Sequence, residues 1–384
     1  LTAALYRLTG LSPILLYFQI LPVIFSLSYG ILVYVLANKI FKNQTAGLFS
    51  LFLAYFGGSF GWLVSLFRGE TLGGESMFWS MQAVSFLVNP PFILSVILLL
   101  LGMIFYLNYL ESGKKRFLIF SIFIFGVLIQ VKVYAGIIVL GALLLTSVTE
   151  FLSRRPPRTL FVFIFSCLVA LAVFLPLNRG SQTVLVYKPW WFLETMFSFP
   201  DRLGILRMDL MRQVSLLTQN YLKFYFWLVS GLVIFLVGNL GTRTIGFLSL
   251  LNLKKENFHS SLKLFFLYAL LIAFVFPMLF IQKGTNWNTI QFFYYFLVLM
   301  SFWGGLTMER FLAKRSPWQN ILLILVLVLM TLPTTISSLV NNYLPPRPPV
   351  KISKLELEGL KFLATQPEGI VLTFPFNPAL INNF

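Results

Sequence analysis

Two short polar islands lie among long apolar runs, and both hold groups suited to phosphate or sugar. Lys132-Val133-Tyr134-Ala135-Gly136 interrupts the apolar stretch 117–151. A lysine at the edge of such a run, here with Tyr134 close by, is a candidate phosphate ligand, or a side chain snorkelling to a membrane interface. The second island is Lys283-Gly284-Thr285-Asn286-Trp287-Asn288-Thr289, with Gln291 just beyond it. Lys283, Asn288 and Gln291 beside a tryptophan offer the donors, acceptors and ring face that a sugar needs. The alternative is a polar turn with an interfacial tryptophan.

Charged groups elsewhere are sparse. Arg179, Arg202, Arg207 and Arg212 mark one long connection. A guanidinium grips phosphate in a bidentate fork, which makes Arg202 and Arg207 candidates for a lipid phosphate; the same arginines also suit a helix resting on anionic headgroups. Glu70 and Glu75 are the carboxylates of another connection, each either a general base within reach of an acceptor hydroxyl or a solvated loop acid. One Cys (Cys167, mid-run) and one His (His259) exclude a disulfide framework, a Cys–His dyad and a His/Cys metal site, and no cofactor is expected. Asn43-Gln44-Thr45 matches a glycosylation sequon, but the topology below puts it inside the cell.

The elements that must position these residues are membrane helices. Hydrophobic residues make up 58% of the chain and charged ones 11%, whereas a soluble domain carries about 25% charged residues. An exterior this apolar requires lipid. The net charge of +17 sits in short clusters between apolar runs, as in cytoplasmic loops, and no aromatic-basic platform accompanies it, so nucleic acid is not expected as a partner.

Runs of spanning length cover 14–36, 46–67, 92–110, 160–177, 224–237, 264–281, 290–306 and 321–340. The stretch 117–151 is too long for one crossing and has basic clusters on both flanks, which predicts a helical hairpin turning near Lys132. The fold class expected is therefore all-α and polytopic, with about ten transmembrane helices. The Gly57-Gly58-Ser59-Phe60-Gly61 interruption is able to unwind the second span.

Lys39/Lys42, Lys114–Arg116, Arg154–Arg158, the segment from Arg243 to Lys263, and Arg310/Lys314/Arg315 alternate onto one face, the cytoplasmic one. That leaves residues 1–13 and the C-terminus outside a cell membrane crossed many times. The outer connection 68–91 ends in Asn89-Pro90-Pro91, an N-cap followed by first-turn prolines. The outer connection 178–223, rich in Trp and Tyr, suits an interfacial amphipathic helix over part of its length. The membrane domain then covers 1–343, and 344–350 is a Pro-rich, stiff linker. Residues 351–384 begin an external α/β domain, with a helix over Ser353–Thr365 and a strand over Ile370–Phe374.

Many spans, a long outer connection after a short-helix hairpin, and a short external α/β tail resemble the C-type (GT-C) integral membrane glycosyltransferases of bacteria. The runs that carry the resemblance are Arg7-Leu8-Thr9-Gly10-Leu11-Ser12, Lys132-Val133-Tyr134-Ala135-Gly136 and Gly284-Thr285-Asn286-Trp287-Asn288, and it covers residues 1 to about 340. The resemblance implies a sugar moved from a polyprenyl-phosphate-linked donor in the membrane to a glycan or lipid acceptor on the outer face. It also implies a catalytic Asp or Glu in the outer loop directly after the first span. Because the chain begins at Leu1 rather than Met, that span and loop are expected upstream of it. Lys132 and the loop arginines fall where the family handles donor phosphate. The competing reading is a transporter or lipid flippase, which would place charge at the centres of its spans. Those centres read as nearly free of charge.

Overall fold

The structure is a computed structural model that describes residues 2–178, 185–252, 260–344 and 353–369. It is almost entirely helical, as it must be where no water is present to bond free backbone groups. The chain divides into two units, 1–343 and 344–384.

The first unit opens with α1 (Thr2–Thr9) and α2 (Pro13–Leu15), which continues through a π-helical turn at Leu16–Ile20 into α3 (Leu21–Phe41). Ser12 starts this span by accepting from the Leu15 amide, and Lys42, with φ +52°, ends it. The second span is broken: α4 (Gln44–Phe56) and α5 (Gly61–Phe67) bend by 50° at the glycine-rich interruption. A short connection carrying α6 (Gln82–Val88) leads to α7 (Pro90–Ser112). Asn89 Oδ1 accepts from the Phe92 amide while Pro90 occupies the first turn, the cap expected of that triplet.

The long apolar stretch divides at Lys132 into α8 (Lys115–Val131) and α9 (Val133–Leu152), followed by α10 (Arg158–Leu177). Lys132 is extended, with φ −156° and ψ 112°. The chain then folds straight back on itself, because a Cβ on Gly136 would lie 2.6 Å from the Cα of Ile129, seven positions earlier. In a continuous helix those residues would stand about 10 Å apart. Glycine is what lets the hairpin close.

Beyond α10, β1 (Leu185–Tyr187) leads to α11 (Trp191–Ser198) and α12 (Leu206–Leu217). The exposed apolar side chains of α12 (Leu206, Leu210, Val214 and Leu217) recur at helical spacing, so α12 has the form of the amphipathic helix expected in this connection. Next come α13 (Tyr221–Leu240), a 3-10 turn at Gly241–Ile245, and α14 (Gly246–Leu251), which together form one apolar segment, Tyr221–Leu251. The series closes with α15 (Ser261–Leu279), β2 (Phe280–Gln282), α16 (Ile290–Leu312) and α17 (Pro317–Tyr343).

Eight of the described helical segments are long and apolar enough to cross a membrane, and the bent pair makes a ninth. The protein is thus a multi-pass membrane protein. α16 is its central post, buried along most of its length and packed against α4, α14 and α15. α3 packs on α4 and α7, and α8 packs on α7, α9 and α10. Phe161, Phe165, Leu168 and Leu171 on α10 remain exposed, as do Ile321, Leu322, Leu325 and Leu329 on α17; such surfaces belong against acyl chains.

One basic residue is not where the charge pattern puts it. Arg243 lies not in a cytoplasmic loop but inside the Tyr221–Leu251 segment, 1% exposed. One charge therefore lies inside an apolar segment. The reason is the turn at Gly241–Ile245, which lets the chain run on into α14 where the apolar run seems to end.

In the second unit, α18 (Lys354–Ala364) is capped by Ser353, whose Oγ accepts from the Glu356 amide, so the expected helix forms. The expected strand at 370–374 lies outside the described residues, as do His259, Arg179 and nearly all of the Pro-rich linker.

Candidate functional site

The two polar islands meet at one end of the bundle. β2 pairs antiparallel with β1, with Leu185 opposite Gln282 and Tyr187 opposite Phe280. The Lys188 and Trp190 amides extend this seam by donating to the Leu279 and Met278 carbonyls. The ribbon fixes Gln282 at the outlet of α15. Gln282 Oε1 accepts from the Tyr134 hydroxyl at 3.1 Å and from Asn288 Nδ2 at 3.2 Å. Asn288 Oδ1 in turn accepts from Gln291 Nε2 at 2.7 Å. Lys132 Nζ sits 5.5 Å from the centre of the Tyr134 ring, and burial lowers its pKa below the ordinary lysine value.

The chain Lys132–Tyr134–Gln282–Asn288–Gln291 thus links the α8–α9 hairpin, β2 and the first turn of α16. Gln291 Oε1 is buried and has no partner among the described residues. It is an acceptor held ready at the inner end of the network. Lys283 and Trp287, by contrast, are exposed beside it and bond to nothing in it.

Arg202 reaches the same end of the bundle. Its guanidinium stacks on Trp79, 4.3 Å from the ring centre, and pairs with Asp201 at 3.3 Å. The Arg202 and Leu203 carbonyls accept from Arg68, at 3.1 and 2.7 Å, which ties this connection to the 68–89 one. Arg207 is exposed on α12 and joins neither group. Arg212 is occupied by Glu194 and Asp209, both at 2.9 Å.

Glu70 is exposed, but Glu75 is not the solvated loop acid its setting suggests. Its Oε1 accepts from the Ala83 amide at 2.6 Å, and its Oε2 takes the Ser338 hydroxyl at 2.9 Å. The first bond caps α6 from a distance, and the second fastens the connection to α17. Burial pushes the Glu75 carboxyl up to about 6, against the opposing pull of those hydrogen bonds.

Deeper in, two broken spans touch at their breaks. The Phe60 amide donates to the Gly238 carbonyl at 2.8 Å. Gly241, at φ +55° and ψ −131°, presses on the Gly58 carbonyl, leaving no room for a Cβ. Arg243 fills the junction. It donates to Gln82 Oε1 at 2.5 Å, to the Leu240 carbonyl at 3.2 Å, and to the Leu297 and Asn239 carbonyls at 3.4 Å. Asn239 Oδ1 accepts from the Ser80 amide at 3.1 Å.

The carbonyls freed by the break between α4 and α5 are taken by the last span. Thr334 Oγ1 donates to the Ser59 carbonyl at 2.7 Å and Thr335 Oγ1 to the Phe56 carbonyl at 2.8 Å. Ser337 donates to the Leu72 carbonyl.

Among the sequence candidates, then, Lys132, Tyr134, Asn288 and Gln291 come together, and Arg202 flanks them at the same end; Arg207, Lys283 and Glu70 stand apart at the surface, and Glu75 serves packing. Gln282 and the Arg243 junction were not singled out. A signal for the junction exists: Thr334, Thr335, Ser337 and Ser338 form a polar stripe within an otherwise apolar run. Among the described residues no group of His, Cys, Asp and Glu is arranged to hold a metal. Comparison of the chain with family models, with characterised proteins and with solved structures returns no match.

Proposed function

We propose that the chain is a membrane glycosyltransferase that moves a sugar from a polyprenyl-phosphate carrier to a glycan or lipid acceptor at the end of the bundle holding Lys132. The observation that carries this reading is the Lys132–Tyr134–Gln282–Asn288–Gln291 network, in which a half-buried amine adjoins amide groups where helices end. A lipid-borne phosphate arrives at that level of the membrane, with its sugar on the aqueous side. In this reading the eight spans, the bent pair and the seventeen-residue α8 make ten crossings. The Lys132 end then faces outward across a cell membrane, as does the C-terminus.

In the transfer, the acceptor oxygen bonds to the anomeric carbon as that carbon's bond to the phosphate oxygen breaks. The lipid phosphate leaves as an anion, and the acceptor proton passes to a carboxylate. Lys132, and Arg202 on its tryptophan platform, would stabilise the departing phosphate as its charge develops. Asn288 and Gln291 would hold sugar hydroxyls. Glu70, at the surface, is one exposed carboxylate among the described residues, whereas both oxygens of Glu75 are engaged.

A second reading, translocation of an anionic lipid or solute, is favoured by Arg243, a guanidinium buried where two spans break. The purified chain in vesicles containing a polyprenyl-phosphate sugar separates the two. Release of sugar to an acceptor, reduced by Lys132→Ala in a folded protein, supports transfer. Movement of the intact lipid between leaflets without cleavage, insensitive to Lys132→Ala, would remove the enzyme reading.

A further inference from the structure

At the opposite end of α16, one helix length of about 35 Å from Gln291, a cavity with a basic rim opens between α14 and the last turns of α16. It has a volume of about 360 Å³ and is lined by Ser249, Asn252 and Thr307 together with Arg310, Lys314 and Arg315. Among the described residues no carboxylate lines it. Arg310 stands in the last turn of α16 and Lys314 in the turn that follows it, and both line the cavity. The cavity is also held in shape. Ser249 and Thr307 share a hydrogen bond of 2.7 Å, and Arg310 Nη1 donates to Ser249 Oγ at 3.3 Å. Arg315 is steered by Phe311, lying 5.2 Å from its ring centre and donating to its carbonyl at 3.2 Å. The neutral groups thus aim the guanidinium of Arg310 without neutralising it.

The surroundings show what kind of anion fits. The cavity lies where two apolar segments, Tyr221–Leu251 and Asn286–Leu312, come to an end, the level of lipid headgroups. Leu248 lines it and is exposed, and Leu251 beyond it is 81% exposed. A soluble anion would gain nothing from that wall, whereas the acyl chains of a membrane lipid would cover it. Cations at the C-terminal end of a helix complement its dipole in many proteins. A walled cavity with hydroxyl and amide partners goes beyond what that purpose requires.

We infer that this cavity binds the phosphate of an anionic phospholipid, gripped by Arg310, Lys314 and Arg315, with the lipid's chains against Leu248 and Leu251. Bound there, the lipid would clamp α14 to α16 and so fix the broken segment that carries Arg243.

The test uses the whole chain in nanodiscs of phosphatidylcholine doped with phosphatidylglycerol carrying a photoactivatable acyl chain. Crosslinks mapping to residues 248–252 and 307–315 are expected. The triple variant R310Q/K314Q/R315Q should lower capture at least about tenfold, since each basic residue near the surface adds appreciably to the binding of anionic lipid. K114Q/K115Q/R116Q, which removes equal charge from another connection at the same end, should leave capture unchanged. Equal loss in the two triple variants would reduce the effect to general surface charge and overturn the inference. So would undiminished capture in the first, or full competition by millimolar glycerol phosphate, which would indicate a free-phosphate site. Should the first variant not fold, the crosslink map of the unaltered chain still decides: adducts scattered over all spans refute the site.

Discussion

Gln82 and Arg243 meet side chain to side chain, Oε1 against Nη1 at 2.5 Å, although 161 positions separate them in the chain. The contact fastens the 68–89 connection to the break in the Tyr221–Leu251 segment and leaves a guanidinium sealed from water. A charge so placed depends on every acceptor it has. Gln82→Leu should therefore cost about 2–3 kcal/mol, in the range for a hydrogen bond to a charged group. Unfolding in mixed micelles measures it. Arg243→Lys should be no milder, because one ammonium cannot reach acceptors spread over Asn239, Leu240, Leu297 and Gln82. If both variants unfold like the parent protein, the junction is not a structural keystone.

The hairpin at Lys132 depends on how closely Gly136 approaches Ile129. A single methyl at Gly136 would fall 2.5 Å from Ile129 Cβ and 2.6 Å from its Cα. Gly136→Ala should destabilise by about 1–3 kcal/mol, the range for overpacking. Ile129→Ala should not rescue it, since the clash reaches the backbone. Full rescue in the double variant would show that the turn is looser than described.

Glu75 gives the protein a pH dependence of defined sign. Its carboxyl is raised from 4.5 to about 6 in the folded protein, so folding favours the protonated form. The stabilisation it contributes is complete below about 4.5 and is lost as pH rises through about 6, a swing of about 2 kcal/mol. Glu75→Gln keeps both partners, with its amide donating to Ser338 and its carbonyl accepting from Ala83. It should flatten this part of the stability profile. Thermal melts of parent and variant across pH 4.5 to 7 check it, and parallel profiles would refute the assignment.

Gln282 holds the proposed donor site together by accepting from both Tyr134 and Asn288. Gln282→Leu would strand a hydroxyl and an amide, a local cost of about 1–3 kcal/mol. In a lipid-linked sugar transfer assay it should raise KM more than it lowers kcat, since it disturbs the residues proposed to hold the donor. Gln282→Glu, which retains the acceptor oxygen, should recover much of the loss. A change in kcat alone would place Gln282 outside donor binding.

Much of this was legible in the residues. Apolar length gave the spans, because lipid imposes a strict rule on backbone bonding. Asn89-Pro90-Pro91 marked a helix start, the glycines at 57–61 marked a break, and Lys132 marked a turn. The polar islands were recognisable because amide and amine groups are rare in such a sequence. What stayed hidden depends on partners far along the chain. Glu75 looks like a loop acid until Ser338 and the start of α6 close on it. Arg243 looks like a loop cation because it follows an apolar run directly, and only the turn at Gly241 carries it inward. Gln282 needed the β1–β2 pairing, whose strands are too short to announce themselves.

The hydroxyls that α17 offers to the carbonyls of Phe56 and Ser59 set an order of assembly. A ribosome delivers residues 44–67 to the membrane long before it makes residues 334 and 335, so this broken crossing must wait, its kinked backbone only partly bonded, while residues 68–333 are synthesised. A helix made late, α17, thus locks one made much earlier, α4. A translation product stopped before Thr334 should accordingly stay vulnerable to membrane quality-control proteases, even though most of its crossings are already in place.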